Sequence, residues 1–162
     1  SHYVWGKRYL LQIQELEAPA RITLNYKTLL LQVRPGTSRE KRQELLEAWY
    51  RQQVRQEAQT LVRKWQAIMG VQAGKLLMQR MKTKWGSCNP KTGLIRLNTE
   101  LAKKPPEHLE YVVVHELAHL IEASHSERFV AAMDMFLPKW QLYQAELNSL
   151  PVRHEVWDPL LQ

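Results

Sequence analysis

The spacing of apolar and polar positions changes along the chain. From residue 2 to about residue 34 the period is short. His2-Tyr3-Val4-Trp5 runs into a Gly6-Lys7 turn, and an extended stretch follows from Arg8 to Glu15. Arg21-Ile22-Thr23-Leu24 alternates strictly, a turn falls near Asn25 to Thr28, and Leu29 to Val33 is apolar. Short alternating runs separated by turn residues predict an antiparallel β meander over 1–36, closed by Arg34-Pro35-Gly36.

The period then lengthens. Thr37 with Glu40 three residues on is a capping-box pattern. Leu45, Trp49, Val54, Ala58, Leu61, Trp65 and Ile68 recur near helical spacing, with Arg39, Lys41, Arg42, Arg51, Arg55, Arg63 and Lys64 mostly between them. This predicts one long helix over 37–70, with Gly70 as its stop. Residues 76 to 85 read as extended, Asn89-Pro90-Lys91-Thr92-Gly93 as a turn, and 94 to 97 as a second strand, giving a β-hairpin. Pro105-Pro106 opens a second helix with Glu107 and Glu110 in its first turn. Leu109, Val112, Val113, Leu117, Leu120 and Ile121 give that helix a broad apolar surface. Helical segments from Ser126 to Phe136 and from Pro138 to about Ser149 follow, and the stretch from Pro151 to Gln162 has no clear period. The pattern is α+β, in a single domain over 1–162 whose segment 75–150 holds the candidate chemistry.

Composition narrows the chemistry. The chain has 162 residues, enough for a core without disulfides. Its single cysteine, Cys88, excludes an internal disulfide and a Cys-rich zinc ribbon, and fits a reducing compartment. The chain begins with Ser1 and shows no secretory signal pattern, so a cytoplasmic location is expected. No apolar run is long enough to span a bilayer, so no membrane partner is expected. With six histidines, a transition-metal site here is built from imidazole and carboxylate. Lys and Arg number 23 against 16 Asp and Glu, a formal +7 that leaves association with nucleic acid open.

His115-Glu116-Leu117-Ala118-His119 is an H-E-x-x-H motif inside the second predicted helix. Residues four apart lie one turn apart on one face, so the two imidazoles can bind a single metal ion. Glu116, next to the first of them, can reach a water on that metal without binding the metal itself. Random placement of this chain's His and Glu would give only ~0.02 such motifs. A third ligand is needed. His125 follows His119 by six residues, past an Ala123-Ser124 break; Glu122 and Glu146 are the rivals. His2, His108 and His154 lack motif spacing and read as ordinary histidines.

Four blocks together resemble a known family: Met81-Lys82-Thr83-Lys84-Trp85-Gly86-Ser87-Cys88, Ile95-Arg96-Leu97-Asn98, Tyr111 to Leu120, and His125-Ser126-Glu127-Arg128-Phe129. They are similar to the YgjP-like metallopeptidase-fold family of predicted metal-dependent hydrolases, related to the SprT-like and WLM zinc proteases. The resemblance implies a zincin-like fold, one Zn²⁺ held by His115, His119 and His125, and Glu116 as catalytic base. It implies a rim strand from the W-G-S-C block along the cleft. Lys84 stands where many relatives have Arg, and relatives carry a further segment upstream of His2, which implies that such a segment is missing here. Relatives are described both as metallopeptidases and as UTP pyrophosphatases. The expected activity is therefore hydrolysis of a peptide bond by a metal-activated water, with a peptide or protein substrate. Lys84, Trp85, Gly86, Ser87 and Arg128 are candidate substrate contacts. The alternative is nucleoside triphosphate pyrophosphohydrolysis at the same metal, with Arg80, Lys82, Lys84, Arg96 or Arg128 on the phosphates. The absence of a Gly-rich phosphate loop and of a carboxylate cluster for Mg²⁺ counts against the alternative.

Overall fold

A computed structural model describes residues 2–149 of the chain. The stretch from Pro151 to Gln162, with no clear period in sequence, and His154 within it lie outside the described residues.

Four strands form the first sheet: β1 (His2–Val4), β2 (Lys7–Glu15), β3 (Arg21–Leu24) and β4 (Thr28–Val33), in the order β1-β2-β4-β3. The hairpin between β1 and β2 turns on Trp5 and Gly6, both at positive φ (49° and 81°). This is the sign a two-residue hairpin turn requires, and it is costly for a tryptophan. The turn is held from outside. Trp5 N–H donates to Ala102 O at 2.7 Å, and Gly6, whose missing Cβ would meet Pro105, donates to Lys103 O at 3.2 Å.

The expected antiparallel meander is corrected here. β2 pairs with β4, and in parallel, with Leu11 opposite Leu29 and Ile13 opposite Leu31. The chain crosses from β2 to the far edge, runs β3, and hairpins back into the middle. Burial explains the order. Leu29, Leu31 and Val33 are at most 1% exposed, so β4 takes the central place, while β3, exposed at three of its four residues, takes an edge.

The long helix α1 spans Arg39–Met69, about 46 Å at 1.5 Å per residue. Its cap is Ser38, whose hydroxyl accepts from Lys41 N–H at 3.1 Å. Thr37, expected to cap, instead closes the preceding turn by donating to Arg34 O at 2.6 Å. The buried stripe is Leu46, Tyr50, Val54, Ala58, Val62, Trp65 and Met69. It runs one residue later than the predicted Leu45, Trp49, Leu61 and Ile68, because α1 rests on its neighbours through the next row of side chains. Gly70, at φ 69°, ends the helix as predicted.

The second sheet contains β5 (Leu76–Gln79), β6 (Gly86–Cys88) and β7 (Ile95–Asn98), in the order β5-β7-β6. The single strand expected over 76–85 is a shorter strand, β5, and a loop that leads into β6. β5 pairs in parallel with β7, whereas β6 makes the antiparallel hairpin with β7 and lies at the sheet edge. A 3-10 turn, Thr99–Lys103, leads into α2 (Pro106–Ala118), followed by α3 (Glu127–Phe136) and α4 (Trp140–Ser149). Leu109, Val112, Val113, Val114, Leu117 and Ala118 of α2 are at most 2% exposed. A helix apolar on nearly all sides is a central one, and α2 packs against α1, α3, α4 and β6. Trp65 Nε1–H and Lys64 Nζ both donate to Glu110 Oε2, at 2.8 and 3.2 Å, tying α1 to α2. No helix among the described residues is long and apolar enough to cross a membrane.

Candidate metal centre

The last turn of α2 carries His115 and Glu116, and His119 is the residue that caps its C-terminus. Beyond it the chain stays tightly wound. Leu120, Ile121 and Glu122 N–H donate back to Leu117 and Ala118 carbonyls at 3.0 Å. It then loops through Ala123 and Ser124 to His125, just ahead of the N-cap of α3, Ser126. That reversal brings three imidazoles together, with one nitrogen from each within 4.8 Å of the others. His119 Nε2 and His125 Nε2 lie 3.1 Å apart. Two nitrogens bound to one tetrahedral zinc at ~2.05 Å would be about 3.3 Å apart, so this pair is already at ligand spacing.

The donor set fits a zinc ion on a second count. His119 Nδ1 lies 3.1 Å from Ala123 O and 3.3 Å from Glu122 O. A carbonyl can only accept, so Nδ1 carries the proton and Nε2 keeps its lone pair for a metal. Burial lowers the His119 pKa, against the opposing pull of Glu116 and the Glu122 carbonyl and with smaller help from His115 and His125, which favours the neutral, ligating form. The rival third ligands are engaged elsewhere. The Glu122 carboxylate accepts from Ser124 Oγ at 3.1 Å, and Glu146 pairs with His108 Nε2 at 3.2 Å. His108 is buried with Nδ1 unpartnered, and it stands apart from the triad.

Phe129 forms the floor of the triad. Only 2% exposed, its ring centroid lies 5.1, 4.6 and 4.9 Å from those of His115, His119 and His125, stacked on His119. Tyr111 meets His115 edge-on at 5.7 Å. Its phenol is pushed up to about 12 by burial and by the nearby Glu116 charge. Sequence reasoning gave neither aromatic a role. The available signal was helical spacing, which sets Tyr111 four residues before His115 and Phe129 four after His125.

Glu116 is 5% exposed, with Oε2 at 3.1 Å from His115 Nδ1. The rim strand lies directly against it. A Cβ on Gly86 would stand 2.7 Å from Val112 Cγ1 and 3.1 Å from Glu116 Oε2, so only glycine lets β6 approach α2 this closely. Cys88, two residues on, has its thiol pushed up to about 11 by burial and by Glu116. It is therefore a protonated, inert thiol at neutral pH.

The other expected contacts are less closely drawn in. Trp85 is half-buried, with Lys104 Nζ 5.9 Å from its ring. Ser87 faces Arg96 across the hairpin. Lys82, Lys84 and Arg128 are exposed, and Arg80 pairs with Glu47 of α1 at 3.7 Å.

Two imidazoles at a helix end and a third from the loop that follows form a donor set that could hold a metal ion, with a buried carboxylate beside it. Among solved structures the chain is similar to the metallopeptidase zymogen of Pyrococcus abyssi abylysin, at 23% identity and a TM-score of 0.53, over 57% of this chain and 92% of that one. It is also similar to the metallopeptidase zymogen of Methanocaldococcus jannaschii jannalysin, at 19% identity and a TM-score of 0.51, over 57% of this chain and 94% of that one. These likenesses are of fold. No curated protein matches the chain. Residues 1–150 match the model of the YgjP-like, metallopeptidase domain, and the chain belongs to that family. Family and fold together support a metal-dependent hydrolase of metallopeptidase type.

Proposed function

We propose that the protein is a zinc-dependent peptidase in which His115, His119 and His125 hold the metal and Glu116 is the general base. The observation that carries this reading is the convergence of three imidazoles, one locked by carbonyls in its ligating tautomer, beside a buried carboxylate. A zinc ion held there would supply Lewis-acid polarisation of a carbonyl and acidify a water. Glu116 would accept the proton of the attacking water at its carboxylate and deliver it to the leaving amine. β6 hydrogen-bonds β7 on one side, which leaves its other edge to receive an extended peptide backbone by strand addition. Trp85, just ahead of that strand, and Ser87, on it, flank Gly86 at the rim.

A second reading, nucleoside triphosphate pyrophosphohydrolysis, draws on the exposed Lys82 and Lys84 in the loop entering β6. Metal analysis with parallel assays on a quenched peptide library and on nucleoside triphosphates separates the two. Under the peptidase reading, peptides are cleaved and triphosphates are not. Glu116→Gln keeps its zinc and its fold, while the rate drops by at least ~10². Zinc loss in that variant would make Glu116 a ligand, and retained hydrolysis would refute the base assignment.

A further inference from the structure

Asn98, the last residue of β7, is 0% exposed. A fully buried amide at a strand end is costly unless its hydrogen bonds are made, and here they are. Nδ2 donates to Met81 O at 2.9 Å and to Lys84 O at 2.8 Å, and Oδ1 accepts from Glu100 N–H at 3.0 Å. Its backbone N–H donates to Trp85 O at 3.0 Å. Three of its four bonds therefore go to one target, the loop between β5 and β6.

That loop has little else to shape it from within. Lys82, Thr83 and Lys84 are exposed, and Lys84 and Trp85 lead straight into Gly86. Gly86 in turn lies where a single added carbon would strike Val112 and Glu116. A continuous path of contacts thus runs from the Asn98 amide, through the carbonyls of Met81, Lys84 and Trp85, to Gly86 and on to the Glu116 carboxylate.

The geometry points to Asn98 as a positioning residue for the hydrolytic reaction: it clamps the loop 81–85 so that Gly86 seats against Glu116 and holds the carboxylate in place. This rests on the reading of Glu116 as the base. Asn98 touches no reacting atom, and its effect passes through the backbone of β6.

The test uses the full chain. Asn98→Ser removes both side-chain donors to the loop while keeping an oxygen for Glu100 N–H. Gly86→Ala leaves the clamp and crowds Glu116 directly. Zinc content, hydrogen exchange of the metal-free protein, and kcat and KM on a quenched peptide cleaved by the wild type are measured for each single variant and for the double. In Asn98→Ser, exchange over 81–88 rises by about 10-fold or more while that of α1 and α2 holds, because only the local opening has changed. Zinc content is unchanged, and kcat falls about 10- to 100-fold with KM altered less than about threefold, the signature of a misplaced group. Gly86→Ala shows the same split, and the double variant is no worse than the worse single one, since both act on one element.

Several results overturn the assignment: unchanged exchange over 81–88, exchange rising equally in α1 and α2, unchanged kcat, or additive losses. Failure of both Asn98→Ser and Asn98→Asp to fold does so too, making Asn98 a residue of the core alone. Glu116→Gln in the same assay keeps the two readings apart. If it stays active, the base assignment fails. If it is dead while Asn98→Ser turns over normally, only the clamp fails.

Discussion

Phe129→Leu removes the aromatic floor of the triad while keeping most of its apolar volume. In the wild type the ring sits within 5.1 Å of three imidazole centroids, so it restricts their rotamers before any metal arrives. His125 is exposed and retains much of its freedom, whereas His115 and His119 are half-buried against the ring. Freeing two side chains that binding must then refreeze costs about 0.5–1.5 kcal/mol each, or roughly 1–3 kcal/mol in all. Zinc affinity should therefore weaken about 5- to 150-fold. The assay is competition with a chromophoric chelator at fixed pH, together with urea unfolding of the metal-free protein to record the cost to the fold separately. A stability loss with unchanged zinc affinity would refute the reasoning and leave Phe129 as core packing.

His125→Ala should lose most of its zinc, while Glu122→Gln, whose carboxylate is turned to Ser124, should keep it; the reverse pattern in metal analysis would exchange their roles. Cys88, with its thiol near 11, should react with iodoacetamide at pH 8 far more slowly than an unperturbed cysteine, and Glu116→Gln should speed the reaction by removing one cause of the shift. Glu110→Ala leaves Trp65 Nε1–H without its acceptor and should cost about 1–3 kcal/mol in denaturant unfolding, with no change in zinc content.

The candidate histidine cluster could be read in the sequence because helical geometry is local. The four-residue spacing of His115 and His119 fixes a shared face wherever the helix lies. His125 was less determined: six residues and a break let the chain turn in several directions, and hydrogen bonds from Leu120, Ile121 and Glu122 to α2 decide among them. Long-range pairing was out of reach. Alternation in 21–33 shows which residues are buried, but which strand lies beside β4 depends on competition for the central place. The placement of Asn98 is of the same kind. An asparagine after an apolar strand looks like an ordinary turn residue until the loop 81–85 folds back over it.

The triad straddles a junction: two of its imidazoles belong to the end of α2, among the most buried segments of the chain, and the third precedes α3. Of α3 only Phe129 and Met133 are buried, and its N-cap Ser126 makes no side-chain cap bond. Metal binding would then couple a well-anchored segment to a weakly anchored one. By mass action, free zinc at a hundred times its dissociation constant adds about 2.7 kcal/mol to whatever must be folded in order to bind. α2 is folded by its own packing, so that increment falls mainly on the junction and on α3. With zinc bound there, the persistence of α3 would become a function of zinc concentration, and metal depletion would expose the junction and α3 to proteolysis before α2.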